Sequence, residues 1–502
     1  MSTRLSLGLI FNGTAAITIL GLCLGILYVV RPRKGLPPAP PQTLVLGNLH
    51  NFPDLTQAFL TFTKWAQTYG PIFHLRLFNK YFIVLNTGKA ALDLLESRSN
   101  IYSDRPHTVF DHQVAMLNYN MFRMRVDHPR FRVYRRMMQS GIGPRALQGY
   151  RSLQLQERNV LLRNLVDNPQ DFISHLRRNA GSFILKLTYG YDVKSNTDEF
   201  LDLIEKAFLF EAEKLSRPFI VEYLPFLRFF PSWFPLCEFK KVAKELRASQ
   251  VEAIPFKWSK GLIESGNFVD SFVSRFLLPE DGSTISEEDQ DILKWCAHAM
   301  YIGGGDTVVS AMTTFFYIMV MHPDIQKRAQ ADIDRTTGGE RLPIPEDEAR
   351  LPYVTAIIKE LLRFVPVAPI GLNHRVMEDD EYEGYHIPKG SVVIGNIRYI
   401  KFSCPFFFAL KIGCRAITLD PELYPNPGNF DPERHLGEHP ETDPYKFVFG
   451  FGRRACPGSY LAERSLFLNI ASILALFKLE KDTDANGNTV EPKEEFCGSV
   501  TM

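Results

Sequence analysis

The sequence predicts a mainly α-helical protein with a small β region, preceded by one N-terminal transmembrane helix. Three observations support this fold class. Residues 5–30 contain no charged side chain over 26 positions. From about residue 55 onward, apolar residues recur at three- and four-residue spacing, which is the period of an amphipathic helix. Short β-branched runs interrupt that pattern and indicate strands.

The uncharged stretch at residues 5–30 is long enough to cross a bilayer as a helix. Arg31, Arg33 and Lys34 follow it directly, against Arg4 alone before it, so the positive-inside rule places the rest of the chain in the cytosol. A cleaved signal peptide is the alternative, but the apolar run is too long and the basic cluster lies on the wrong side. We therefore interpret residues 1–34 as an anchor with a basic stop-transfer signal, expected in the endoplasmic reticulum membrane.

The next segment, GLPPAPPQTLVLGNLH at residues 35–50, is rich in proline and predicts a stiff, extended hinge. We expect residues 51–502 to form one globular domain. Its helical spacing is clearest in three ranges, residues 141–215, 285–335 and 352–365. Two runs, FIVLN and SVVIGN, are typical of strands.

Composition excludes several classes of protein. The chain has 57 basic and 56 acidic residues and no long basic block, so nucleic acid is not an expected partner. Its seven cysteines include no CxxC pair, which argues against a disulfide framework and a zinc site. This pattern indicates a reducing compartment.

One cysteine lies in an unusual context, the glycine-rich stretch FGFGRRACPG at residues 449–458. Glycines before a cysteine at a helix start let the backbone approach a flat ligand and direct N–H groups at a thiolate. The alternative is a buried structural thiol. The stretch satisfies the pattern F-x-x-G-x-R-x-C-x-G through Phe449, Gly452, Arg454, Cys456 and Gly458.

This motif resembles the haem-binding loop of the cytochrome P-450 family. The resemblance implies that the Cys456 thiolate is the metal ligand, bound to the iron of haem b. It extends from the hinge to nearly the last residue, and three further stretches of the family pattern occur in the family's order.

The first stretch is KELLR at residues 359–363, which places Glu360 and Arg363 on one helix face. Such pairs are common on solvated helices. In the family, however, an E-x-x-R pair is buried and completed by a later arginine, which the resemblance assigns to Arg434 in DPERH. A buried cluster of this kind needs all its donors satisfied. Its implied role is to hold the haem-side core together.

The second stretch is GGGDT at residues 303–307, inside an apolar helical segment where three glycines are costly. A loosened helix here would leave room for dioxygen, with Asp306 and Thr307 delivering protons through water. The alternative is a helix crossing that requires small residues. The family's oxygen-binding helix reads A/G-G-x-D/E-T, which this stretch fits, including Gly304.

The third stretch is RFRVYRRMM at residues 130–138, where the family carries W-x-x-x-R. Phe131 replaces the tryptophan, and Arg135 keeps the arginine that would pair with a haem propionate. A solvated basic helix is the competing interpretation. The resemblance assigns two more propionate contacts, to Arg375 and Arg454.

The resemblance implies a haem-thiolate monooxygenase that inserts one oxygen atom of O2 into a small apolar substrate. No G-x-G-x-x-G follows a strand, so electrons should come from NADPH through a separate reductase. We expect the reductase to dock on a basic face that comprises Arg132, Arg136, Lys446 and Arg453. The substrate is expected to contact three stretches, residues 107–122, 205–230 and 367–371. The pattern is most similar to fungal microsomal members that oxidise secondary metabolites, such as O-methylsterigmatocystin oxidoreductase.

Two other functions remain open: a haem-thiolate isomerase or dehydratase that needs no external electrons, and a non-functional product of a faulty gene model. The second is prompted by residues 399–415, YIKFSCPFFFALKIGCR, which interrupt a family pattern that would otherwise pass from GNIR into AITLDPELY. We hypothesise that these 17 residues are a translated, unspliced intron, since their codons can carry splice signals and keep the frame. A membrane-touching insertion is the alternative. The end of the chain, EPKEEFCGSVTM, also predicts loss of the family's last strand hairpin.

Overall fold

The computed structural model describes residues 35–54, 58–215, 218–397, 416–484 and 486–492, apart from the side chains of residues 211 and 212. The expected membrane anchor, the whole 17-residue block and the last ten residues lie outside the described residues.

Helices dominate the described part of the chain, as expected from the apolar spacing. In chain order they are α1 Ala58–Tyr69, α2 Gly88–Ala91, α3 Ser99–Tyr102, α4 Pro129–Ile142, α5 Arg151–Asp167, α6 Phe172–Tyr189, α7 Glu199–Lys214, α8 Phe239–Ser249, α9 Ile254–Glu264, α10 Phe272–Leu277, α11 Glu287–Gly305, α12 Thr307–Met321, α13 Pro323–Thr337, α14 Pro352–Phe364, α15 Tyr445–Val448 and α16 Ser459–Leu476.

The β region is small. Its strands are β1 Ile72–Leu77, β2 Lys80–Leu85, β3 His374–Arg375, β4 Asp380–Tyr382, β5 Tyr385–Ile387 and β6 Val392–Gly395. One sheet has the order β1-β2-β6-β3, and β4 pairs with β5 in a separate ribbon. The two runs predicted as strands form β2 and β6, which pair in parallel with Phe82 opposite Val392.

Helix α16 is the central element of the largest apolar cluster. Leu466, Phe467, Ile470 and Leu474 are all at most 2 % exposed, and the helix packs against α5, α12, α13 and α14. Because a densely packed interior resists displacement, the start of α16 is a rigid point in the fold. Cys456 lies three residues before that start.

The helical stretch at residues 287–321 breaks at Asp306, which separates α11 from α12 and has φ −108° and ψ −33°. The Thr307 hydroxyl donates a hydrogen bond to the Gly303 carbonyl at 2.8 Å. The loosened helix predicted from GGGDT is therefore observed. This stretch is also the one helix among the described residues that is long and apolar enough to span a membrane, but Met312, Phe315 and Ile318 of α12 pack in the central cluster.

The segment at residues 35–50, predicted as a hinge, is docked on β1. Arg76 of β1 is fully buried, and its Nη2 donates to the Thr43 and Leu44 carbonyls at 2.7 and 2.8 Å. The Asn48 backbone N–H donates to the Arg76 carbonyl at 2.6 Å. The two bonds from the buried guanidinium and this backbone bond together hold the second half of the segment on the globular body.

Candidate active site

The loop before α16 presents the Cys456 sulfur by tight backbone packing. The Cys456 N–H donates to the Phe449 carbonyl at 2.7 Å. Gly452 has φ +51°, and a Cβ there would lie 2.4 Å from the Ser99 Cβ. A Cβ on Gly458 would lie 3.9 Å from the Cys456 sulfur. Glycine is thus required at 452, whereas a Cβ at 458 would lie in ordinary van der Waals contact with the sulfur.

The sulfur faces an interior cavity of about 1170 Å³. Cys456 lies deep in the protein, yet its side chain is exposed because it borders this cavity. Burial raises the pKa of the Cys456 thiol, while the Gly458 backbone N–H and the Arg135 guanidinium act to lower it. A cavity-facing sulfur whose thiolate form is favoured by a backbone N–H and a guanidinium group is suited to binding a metal.

The three arginines predicted as propionate partners all line the cavity. Arg135 donates from Nη1 to the Ala455 carbonyl at 2.7 Å. The Arg375 Nε lies 3.3 Å from an Asp104 carboxylate oxygen. Arg454 donates from Nε to the Ser103 carbonyl at 2.8 Å.

Phe131, which replaces the tryptophan of the family pattern, also lines the cavity. Phe131 is 5 % exposed, and the Arg454 guanidinium carbon lies 4.2 Å from the centre of its ring. A phenyl ring has no N–H to donate, but its face attracts a cation. Phe131 therefore orients Arg454 by a cation–π contact.

A fourth cation, Arg105, was missed in the sequence. It is buried and lines the cavity. Its Nη1 donates to the Leu372 and Asn373 carbonyls at 2.7 Å each, but its Nε has no hydrogen-bond partner among the described residues. Burial, with repulsion from Arg454, lowers the pKa of Arg105 to about 9. No local pattern marks this residue, since its partners lie some 267 positions away.

The cavity presents the partners that a haem requires. A buried guanidinium nitrogen without a partner requires an anionic acceptor, and Arg105, Arg135, Arg375 and Arg454 line the same cavity as the Cys456 sulfur. A haem offers two carboxylates on a flat apolar group whose iron takes a cysteine thiolate. The residues therefore fit this group, with Cys456 as the iron ligand and the arginines as carboxylate partners.

The broken helix forms another wall. Gly303, Gly304 and Thr307 line the cavity, whereas Asp306 is half-buried at the break and does not. A Cβ on Gly304 would lie 2.9 Å from the Ile184 Cδ1, while on Gly303 its nearest neighbour would be a Phe122 ring atom at 3.8 Å. A residue without a Cβ is therefore needed at 304 for packing, whereas a Cβ at 303 would meet Phe122 at an ordinary van der Waals distance.

The remaining lining is mostly apolar and comes from all three stretches predicted to contact substrate. The first, residues 107–122, includes Phe110 and Phe122. The second, residues 205–230, contributes Phe219, and residues 367–371 contribute Val367 and Ile370. A cavity of this composition suits an apolar ligand with few polar groups.

The predicted core cluster is present and fully buried. Glu360 receives Arg363 Nε and Nη2 at 2.7 Å each and Arg434 Nε at 3.1 Å. His435, which the sequence did not indicate, places Nε2 2.9 Å from the second carboxylate oxygen. Burial alone would raise the pKa of Glu360, but these hydrogen bonds and cations hold it at about 2.

The same cluster connects the helix to the chain that leads into the cysteine loop. Arg363 Nη1 donates to the Thr418 and Pro427 carbonyls at 2.9 Å each. Arg434 Nη1 donates to Glu441 at 2.7 Å. All the charged groups are therefore paired, which is the condition under which such a buried cluster supports a fold.

Comparisons with known proteins agree with this geometry. The family model for cytochrome P450 matches residues 37–408 and 410–500. Cytochrome P450 monooxygenase claR of Ampulloclitocybe clavipes is 38% identical, covering 96% of this chain and 88% of the relative. Cytochrome P450 monooxygenase ppsD of Aspergillus oryzae is 35% identical over 96% of this chain and 89% of its own. Cytochrome P450 monooxygenase 176 of Postia placenta is 36% identical over 93% and 88%. With a cysteine-centred, arginine-rimmed cavity and relatives of this kind, the chain belongs to the cytochrome P450 family and is a monooxygenase.

Proposed function

We propose that this protein is a membrane-bound monooxygenase that oxidises a small apolar compound of fungal secondary metabolism. It would use electrons from NADPH delivered by a separate reductase. The observation that carries the proposal is that the Cys456 sulfur faces a largely apolar cavity that Arg105, Arg135, Arg375 and Arg454 also line.

Haem b, when bound, supplies the activation of O2. The chain's own residues bind and orient this group: Cys456 holds the iron, and Arg105, Arg135, Arg375 and Arg454 hold the carboxylates. The apolar walls exclude water from the reacting centre, which strengthens every polar interaction inside.

Proton delivery is assigned to the residues at the helix break. The Thr307 hydroxyl donates to the Gly303 carbonyl, so its oxygen remains able to accept a hydrogen bond from a water in the cavity. Asp306 lies at the break beside it. We assign Thr307 the role of holding that water and Asp306 the role of supplying its proton.

The reductase would dock on the basic face defined above. Its four members, Arg132, Arg136, Lys446 and Arg453, are all exposed. Arg132 and Arg136 are one helical turn apart on α4, the helix that carries Arg135. A positive face close to the cysteine loop would steer an acidic electron donor by long-range attraction.

Lipid contact is supported by a second surface besides the N-terminal segment. Residues 225–236 expose a cluster of large apolar side chains, with Phe229 and Trp233 at 75 % and 79 %. Leu236 and Phe226 beside them are also exposed. Exposed aromatic clusters of this kind mark interaction sites, and tryptophan favours the membrane interface. We assign this cluster to the cytosolic surface of the endoplasmic reticulum membrane.

Reconstitution with isotopically labelled oxygen tests this function. The chain would be combined with a cytochrome P450 reductase, NADPH and a panel of apolar probes under ¹⁸O2. We expect products that carry one oxygen atom from O2 and that form only with NADPH and reductase. Conversion without NADPH would indicate the isomerase or dehydratase alternative and contradict the proposal.

A further inference from the structure

Helix α11 brings one polar side chain to the apolar part of the cavity. Its cavity-lining residues include Trp295, His298, Ala299, Ile302 and Gly303. The three- and four-residue intervals between them define one helix face. Among these five residues only Trp295 and His298 have ring nitrogens. The indole of Trp295 can only donate a hydrogen bond, whereas the neutral imidazole of His298 has one donor and one acceptor nitrogen.

The His298 ring is nearly enclosed. Its exposure is 8 %, and the Trp295 ring packs against it edge-on with the ring centres 5.6 Å apart. The Nδ1 atom is buried without a hydrogen-bond partner among the described residues. Burial, with a smaller contribution from Lys294, lowers the pKa of His298 to about 4. The imidazole is therefore neutral at cytosolic pH.

A neutral imidazole carries a single N–H, on one of its two nitrogens. If the proton were on Nδ1, a buried donor would be left without an acceptor, which is costly. An unused lone pair on Nδ1 costs less, so the favoured tautomer has its proton on Nε2. This leaves His298 as a neutral hydrogen-bond donor in a largely apolar cavity.

Resting on the monooxygenase function proposed above, we propose that His298 donates a hydrogen bond from Nε2 to an uncharged oxygen of the substrate. The substrate is therefore an apolar compound that carries a carbonyl, ether or hydroxyl oxygen. His298 is a specificity-determining residue in this account, and it takes no part in oxygen activation.

The position of His298 on the helix also constrains where the substrate is oxidised. His298 precedes Gly303 by five residues, which corresponds to roughly 7.5 Å along the helix axis. Gly303 lines the cavity together with Thr307, whose hydroxyl donates to its carbonyl. The substrate oxygen would therefore lie several ångströms from the oxidised carbon, on the side toward the start of α11.

Binding of matched ketones and hydrocarbons tests this inference. The probes are tetralone with tetralin and indanone with indane, each pair similar in shape and different at one carbonyl. Calorimetric titration of the full chain gives Kd for each, and the ratio of hydrocarbon to ketone Kd isolates the carbonyl. In His298→Phe, which keeps an aromatic ring and removes the donor, we expect this ratio to fall about three- to tenfold.

A conservative variant separates hydrogen bonding from packing. His298→Gln places an amide N–H near the position of Nε2, so the ratio should stay within about twofold of the unsubstituted chain. An unchanged ratio in His298→Phe for both pairs would overturn the proposal, as would an equal loss in His298→Gln. The reduced carbon monoxide spectrum of each variant reports haem binding separately. A chain with the expected ratios and no haem spectrum would contradict the monooxygenase function and leave the hydrogen bond at His298 supported.

Discussion

The Ile417 backbone N–H donates to the Asn396 carbonyl at 3.0 Å, across the two ends of residues 399–415. The next bond repeats the pattern, since the Thr418 N–H donates to the Ile397 carbonyl at 2.9 Å. Without the 17-residue block, Ile417 would follow Asn396 by four positions. Both bonds would then have the spacing of one α-helical turn.

We predict that deleting residues 399–415 leaves the fold intact, because residues 396–397 and 417–418 on either side of the block are already hydrogen-bonded to each other. Thermal unfolding of the shortened chain should occur at the same Tm as that of the full chain, or above it, since the connection between the two hydrogen-bonded sides becomes 17 residues shorter. A matched control removes residues 399–418, which also deletes the donors Ile417 and Thr418, and should abolish cooperative unfolding.

A large drop in Tm for the 399–415 deletion would show that the block is part of the fold. The intron hypothesis has its own test, which is the sequence of the mature transcript. A message that retains the block in abundance would contradict it.

The second prediction concerns acid stability. The pKa of Glu360 is held at about 2 by its partners, against about 4.5 in an unfolded chain. A lowered carboxylate pKa contributes stability above the unfolded value, and that contribution is lost as the pH falls from about 4.5 toward 2. The difference corresponds to roughly 3 kcal/mol.

The measurement is urea unfolding of the unsubstituted chain and Glu360→Gln between pH 7 and pH 3. We expect the free energies of unfolding to differ by several kcal/mol at pH 7. This difference should shrink steadily as the pH falls below about 4.5. Asp443→Asn is the control, because its pair with Lys359 is part-exposed and is worth at most about 1 kcal/mol. A gap that is constant with pH would refute the charge-based explanation.

The third prediction uses neighbouring glycines. An alanine Cβ at 304 would lie 2.9 Å from Ile184, whereas at 303 its nearest neighbour is 3.8 Å away. We expect Gly304→Ala to destabilise the fold by about 1–2 kcal/mol. Gly303→Ala should be neutral or stabilising, because alanine is the better helix former. In the double variant Gly304→Ala with Ile184→Ala, the loss of unfolding free energy, measured in urea, should be smaller than the sum of the two single losses. Additive losses would argue against the contact.

The sequence anticipated features that depend on local pattern. Three glycines with Asp-Thr predicted a loosened helix, which the structure shows as a break at Asp306. The burial of Glu360 and Arg363 was expected only from the family resemblance, since the local pair alone does not indicate it. Features that depend on distant backbone were missed. Arg76 looks like an ordinary strand residue, yet carbonyls at residues 43 and 44 accept its hydrogen bonds. Arg105 likewise depends on the carbonyls of residues 372 and 373.

The fourth prediction separates Thr307 from mere space filling. Thr307→Val removes the hydroxyl with little change in volume, and Thr307→Ser keeps it. Once a substrate is known, product formed per NADPH consumed should fall roughly tenfold or more in the valine variant. The serine variant should remain within about twofold. Equal coupling in both variants would remove Thr307 from proton delivery.

The most direct test is a reduced carbon monoxide difference spectrum of the chain without residues 399–415, compared with its Cys456→Ala variant. Cys296→Ala is the control, since that thiol is fully buried in α11. We predict a strongly red-shifted Soret band in the shortened chain and in Cys296→Ala, and its complete loss in Cys456→Ala. A red-shifted band that survives Cys456→Ala would contradict the central claim that this sulfur binds the haem iron.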